Sequence, residues 1–155
     1  MGRLVILMAV LGVLAAPAAL ADKPAAKHDQ NAAQECRAQL KSMGAKDFRS
    51  LWGNLGQCVA LTAQQNQENV ESAEEQCRAA RAKDAAAFKD KYHNFGRCVS
   101  QTAKAMAQEQ QQKTLNAAQA CKAERAKDAD QFRTTYGKGK RNAFANCVAA
   151  KKKSG

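Results

Sequence analysis

Six cysteines are the residues of this 155-residue chain most able to do chemistry, and their spacing decides which chemistry. They stand at positions 36, 58, 77, 98, 121 and 147, with no two closer than 19 residues. Structural zinc takes Cys pairs two to four apart, or Cys and His at similar spacing. His93 lies five residues before Cys98, but the only other histidine, His28, is distant. Redox catalysis wants Cys-x-x-Cys and heme attachment Cys-x-x-Cys-His, and neither occurs. No metal and no cofactor are therefore expected. An even number of cysteines in an exported chain with a small core points instead to a disulfide framework.

Other reactive groups are sparse. A nucleophile needs a base beside it, and His93 is the sole ordinary candidate; a turn histidine is usually just solvated. The paired carboxylates Glu74 and Glu75 sit in a helical stretch with basic neighbours, so a helix surface explains them better than glycoside chemistry does. No catalytic residue is assigned, and an enzyme is the least favoured class. The aromatic pairs, Phe88 and Tyr92 for instance, are four apart and lie between cysteines, which favours small local cores over a ligand box.

The basic residues are less easily dismissed. No acid follows Asp130, whereas Arg133, Lys138, Lys140, Arg141, Lys151, Lys152 and Lys153 all do. A lysine-rich tail often serves only solubility. A single-signed field at one end is also the footprint of a polyanion binder. The segment 137–142 contains two glycines, so its backbone can fold close to an anion. Lys138, Lys140 and Arg141, together with Lys151, Lys152 and Lys153, are the expected contacts. The ligand would be an anionic polymer such as teichoic acid or extracellular DNA, bound without base readout.

The elements that must position these groups follow from the chain in order. Arg3, an apolar run of 13 residues from Leu4 to Ala16, Pro17 and the small-residue site Ala19-Leu20-Ala21 read as a signal peptide over 1–21, cleaved before Asp22. Thirteen apolar residues fall short of the ~20 that a spanning helix needs. The mature chain carries 24 basic and 14 acidic side chains, a net +10. It has only 19 large apolar residues among its 134, a composition that would suggest disorder without the cysteines. Residues 22–30 read as a flexible leader. Asn31 can cap a helix to Met43, and Asp47 a short helix carrying Phe48 and Trp52. Cys58–Lys83 and Cys98–Lys127 read as long helices. Val59, Ala63, Asn66, Val70, Ala73, Cys77 and Ala80 form a heptad seam of mostly small residues on the first. Gln108 to Lys113 on the second reads as solvated surface. Asp84 and Asp128 can each cap a further short helix, and the former leads to a turn at His93-Asn94-Phe95-Gly96.

The same plan of cysteine, short aromatic helix, turn and Cys-Val occurs three times, over 31–60, 72–100 and 116–149. Copies begin at Cys36, Cys77 and Cys121, periods of 41 and 44 residues, a length typical of stacked helical units. Six cysteines allow 15 pairings. Cys58 and Cys77 share one helix about 28 Å apart, beyond the ~7 Å a bridge spans, and Cys98 and Cys121 are excluded the same way. One bridge per copy is the economical solution: Cys36–Cys58, Cys77–Cys98 and Cys121–Cys147. The expected fold is all-α, with three tandem disulfide-stapled helical hairpins joined by long helices in one domain over 31–155.

The segment ACKAERAKDADQFRTTYGKGKRNAFANCV, Ala120 to Val148, resembles a motif of small secreted Cys-repeat proteins of high-GC Gram-positive bacteria. In that family a Cys-x-Ala-Glu-Arg segment, an Asp-capped helix with Phe and Tyr-Gly, and an Asn-Ala-Phe-Gly-Lys-Cys-Val segment recur singly or in tandem. Ala145 stands where the family usually has Gly. The likeness is closest in the third copy, clear in the second and loose in the first, and covers most of the mature chain. It implies the helical fold and the exported compartment, and carries no active site. The expected function is a secreted, non-enzymatic binding or structural protein of the cell envelope. The alternative is a secreted effector, an inhibitor or toxin of a protein target on a disulfide scaffold.

Overall fold

A computed structural model describes residues 25–138 and 142–154. The expected signal peptide and its cleavage site lie outside them. Seven helices and no strand make up the described residues: α1 (Ala25–Met43), α2 (Ala45–Trp52), α3 (Leu55–Lys83), α4 (Ala85–Tyr92), α5 (Phe95–Lys127), α6 (Ala129–Tyr136) and α7 (Ala143–Ser154). The class is all-α. No helix among these residues is long and apolar enough to cross a membrane.

Asx residues punctuate the helices. Asp84 and Asp128 adopt extended conformations that end α3 and α5. Their side chains then accept from the N–H groups of Ala87 and Gln131, capping α4 and α6. One residue thus stops a long helix and starts a short one. Asn54 and Asn94 accept from Gln57 and Arg97, so the long helices begin three residues before the expected Cys58 and Cys98. The leader also differs from expectation. Helix α1 starts at Ala25, because Ala25, Ala26, Lys27 and Gln30 are good helix formers and nothing interrupts them before Asn31.

The first copy breaks the capping pattern. The residue before α2 is Gly44, at φ +82° with no side-chain cap. Asp47, the expected cap, lies inside α2 and is 4 % exposed. Its carboxylate takes a bidentate pair of hydrogen bonds from Arg125 of α5, at 2.9 and 3.1 Å. A charge that local sequence reads as a cap is thereby used across 78 residues of chain.

The disulfides are Cys36–Cys58, Cys77–Cys98 and Cys121–Cys147. They are the three pairs singled out by spacing, and all six cysteines are nearly or fully buried. The copies are not stacked in a row. Helix α3, with 29 residues, carries the chain about 43 Å away from the first copy, and α5 brings it back antiparallel. Copies one and three therefore meet at one end. There α1, α3, α5 and α7 run alternately up and down, with α2 and α6 across the tip. One core joins Cys36, Phe48 and Cys58 to Cys121, Phe132, Phe144, Cys147 and Val148. The second copy forms a satellite of its own: Cys77, Phe88 and Cys98, flanked by Tyr92, Phe95 and Val99.

Between the two ends the α3–α5 seam is polar. Asn66, Ala73 and Cys77 of the expected heptad are buried, but Ala80 is exposed. Asn69, off that heptad, is buried and exchanges two hydrogen bonds with Gln110 at 3.2 and 3.1 Å. Gln110 thus belongs to the seam, not to a solvated surface. Two amides facing each other satisfy both donors and acceptors that small residues alone could not.

His93 has φ +63°, where its counterpart in the first copy is Gly53 at φ +77°. A side chain is strained there. His93→Gly is expected to stabilise the protein by about 1 kcal/mol. A thermal midpoint below that of the wild type would refute the strain.

Candidate functional site

The basic end is built where α6 passes through the glycine loop into α7. Gly137 closes α6, its N–H donating to Arg133 O at 2.7 Å. A Cβ there would lie 2.3 Å from that same carbonyl oxygen, so the turn admits only glycine. Asn146 of α7 donates through Nδ2 to the carbonyls of Tyr136 and Lys138, at 2.7 and 2.8 Å, and clamps the loop's first stem. At the other stem Asn142 caps α7 by accepting from Ala145 N–H, and its Nδ2 donates to Ser50 O of α2 at 2.6 Å. The loop is thus anchored by two asparagines as well as by the bridge at Cys147. Asn142 recurs in the role of Asn54 and Asn94, a signal present in the sequence.

Four of the six expected contacts, Lys138, Lys151, Lys152 and Lys153, lie among the described residues, and their surroundings differ. Lys138 is exposed and makes no ion pair among the described residues. Lys140 and Arg141 lie outside the described residues. Helix α7 continues to Ser154, so Lys151, Lys152 and Lys153 are helical, about 100° apart around its axis. Lys151 pairs with Glu124 of α5. Lys152 leans toward a cleft between helices, where desolvation pushes its amine below the ordinary lysine value. Lys153 is exposed. All three also sit at a helix C-terminus, where positive charge complements the backbone dipole.

Glu124 organises one side of this end. Its hydrogen bond from Lys151, and then that from the Tyr136 hydroxyl at 3.0 Å, hold its carboxyl below the usual 4.5. The Tyr136 hydroxyl and the Lys151 amine are pushed up in turn, each mainly by its hydrogen bond to Glu124. A carboxylate favoured by folding contributes in full above 4.5, and its contribution is lost as pH falls through the lower folded value. Glu124→Gln is therefore expected to flatten the fall of the thermal midpoint on acidification below pH 4.5. An unchanged acid limb would show that Glu124 is not linked to folding.

The remaining candidates are isolated. His93 is exposed, and its ring makes no hydrogen bond or ion pair among the described residues. Glu74 pairs with Arg78, one turn along α3, at 2.9 Å. The aromatic pairs Phe88–Tyr92 and Phe132–Tyr136 pack ring to ring at 5.2 and 5.0 Å beside the bridges. No group of three His, Cys, Asp or Glu side chains among the described residues could hold a metal ion.

Charge is unevenly distributed along the sequence. Residues 121–154 hold ten basic and three acidic side chains, while 60–76, in the middle of α3, hold four acids and no base. The chain matches no family model, no curated protein and no solved structure.

Proposed function

We propose that this is an exported, non-enzymatic binding or structural protein of the cell envelope that engages anionic polymers through its basic end. The observation that carries it is the charge distribution: ten bases against three acids over residues 121–154, a stretch that includes the loop between α6 and α7, while residues 60–76 hold four acids and no base. Three disulfides fit an oxidising, extracellular setting. The signal-peptide pattern of residues 1–21, with cleavage expected after Ala21, and the resemblance to secreted Cys-repeat proteins of high-GC Gram-positive bacteria support the same compartment. Within the basic end, Lys138, Lys140, Arg141 and Lys153 are the main contacts. Lys151 is already neutralised by Glu124 and contributes least.

Salt titration of binding to duplex DNA and to teichoic acid tests this. For DNA the log–log slope should be about −0.9 per phosphate neutralised. Replacing Lys138, Lys140 and Arg141 by Gln should make it shallower by roughly one unit for each phosphate no longer neutralised. Lys151→Gln should leave it unchanged. Wild-type protein that binds neither polymer at low salt would end this reading and return the lysines to a solubility role.

A further inference from the structure

The polar cleft that Lys152 approaches is a second site, unlike the basic end in chemistry. It has a volume of about 360 Å³ and opens between α1, α3, α5 and the last turn of α7. That is the small end of the ~300–1,000 Å³ range of ligand sites. Trp52, the only tryptophan of the chain, lines it half-buried. The indole Nε1 donates to Gln39 Oε1 at 2.9 Å, which fixes the ring as a wall.

The polar groups around that wall are incompletely used. Gln39 lines the cleft and is 4 % exposed. With its oxygen engaged by Trp52, its amide N–H groups have no protein acceptor among the described residues. Asn66 is 8 % exposed and donates through Nδ2 to Glu35 Oε1 at 3.4 Å. Its Oδ1 accepts nothing among the described residues. Glu35 adds a carboxyl whose pKa burial raises, against a smaller opposing effect of that Asn66 bond. Thr114 Oγ1 donates to Gln110 O at 2.9 Å and keeps its own lone pairs. No buried polar side-chain atom among the described residues lacks a partner, so these free donors and acceptors face the open cleft, where a ligand that both donates and accepts can take the place of water.

The lining also says what the ligand is not. Among the described residues Lys152 is the one cation on the cleft wall, set against Glu35 and Glu68, so a polyanion gains nothing there. Amides and hydroxyls outnumber the apolar lining residues Trp52, Leu61 and Ala107, so a purely apolar ligand would strand them. A pyranose ring fits both halves of the surface. Its C–H face covers an indole, and its hydroxyl or acetamido groups donate and accept in turn. We propose that this cleft, walled by Trp52 and lined by Gln39, Asn66 and Glu35, binds a neutral saccharide unit of mono- or disaccharide size.

The single tryptophan makes the site directly readable. Full-length mature protein is titrated with N,N′-diacetylchitobiose and with cellobiose while Trp52 emission is followed. A saturable change with at least one of them at millimolar concentration, insensitive to added salt, is expected. Asn66→Leu removes an acceptor from the cleft and should weaken binding by about tenfold or more. Glu35→Ala removes a carboxyl whose charge the fold disfavours, so the variant should fold and still lose affinity several-fold. Lys89→Ala, on the exposed face of α4 and away from the cleft, should bind as the wild type does. The proposal is overturned if neither disaccharide changes the emission, or if the folded Glu35→Ala and Asn66→Leu variants both bind like the wild type. Because the readout is salt-insensitive and local to Trp52, it fails or succeeds independently of polymer binding at the basic end.

Discussion

Replacing Cys121 and Cys147 together by Ser is expected to destabilise the protein by about 2–5 kcal/mol, and to do so for the whole fold. This bridge closes the longest of the three loops, 26 residues, and its sulfurs sit in the core shared by the first and third copies. Unpinning α7 from α5 loosens Phe144 and Val148, which pack against elements from both copies. The matched pair Cys77→Ser and Cys98→Ser should behave differently. That bridge belongs to the satellite around Phe88, which shares no buried residue with the main core. Its loss should raise amide exchange in α4 while the main core still unfolds as one unit. Denaturant unfolding gives the global change, and hydrogen exchange locates the local one. Equal global losses for the two pairs would contradict the division into one shared core and one satellite.

Arg125→Met is expected to cost about 3–5 kcal/mol, as large an effect as losing a bridge. Asp47 is 4 % exposed, and Arg125 supplies its bidentate partner. Without it the carboxylate keeps, among the described residues, only Lys122, at 4.0 Å. An uncompensated buried charge is far costlier than the pair is beneficial. Arg125 also lies over the Phe144 ring, 5.1 Å from its centroid, so the substitution loosens α7 as well. Asp47→Asn combined with Arg125→Met should recover part of the loss, since the charge goes with its partner. Arg133→Met, which breaks an exposed pair with Asp130, serves as the control and should change little. If Arg125→Met costs no more than Arg133→Met, Asp47 is not the buried anchor described.

Much of the architecture was legible because it is written in local rules. Asp84 and Asp128 cap helices through their own backbone neighbours, and a run without Gly or Pro between them and the preceding turn is one helix. The rise of those helices ruled out bridges between cysteines on the same rod, and the economy of one bridge per copy chose the pairs among the rest. The basic end was visible as composition. Its internal geometry was not, because Lys151, Lys152 and Lys153 diverge around a helix: Lys151 meets Glu124 of α5, Lys152 lines the cleft and Lys153 is exposed. Glu124 and the residues that line the cleft with Lys152 come from distant parts of the chain.

The sequence by itself determined the helix class and the sign and place of the charge, and it narrowed the bridges to a set from which one per copy was the simplest. Each depends on contacts within a few residues, on helix geometry or on simple counting. Only the tertiary structure decided that the first and third copies share a core, that Asp47 is a buried partner and not a cap, and that Asn69 meets Gln110. It alone assembled Gln39, Trp52, Asn66 and Glu35 around one cleft. The reason is that two long antiparallel helices return the chain to its starting end. The side chains that meet there are chosen by which faces of separate helices oppose each other, and no local spacing encodes that.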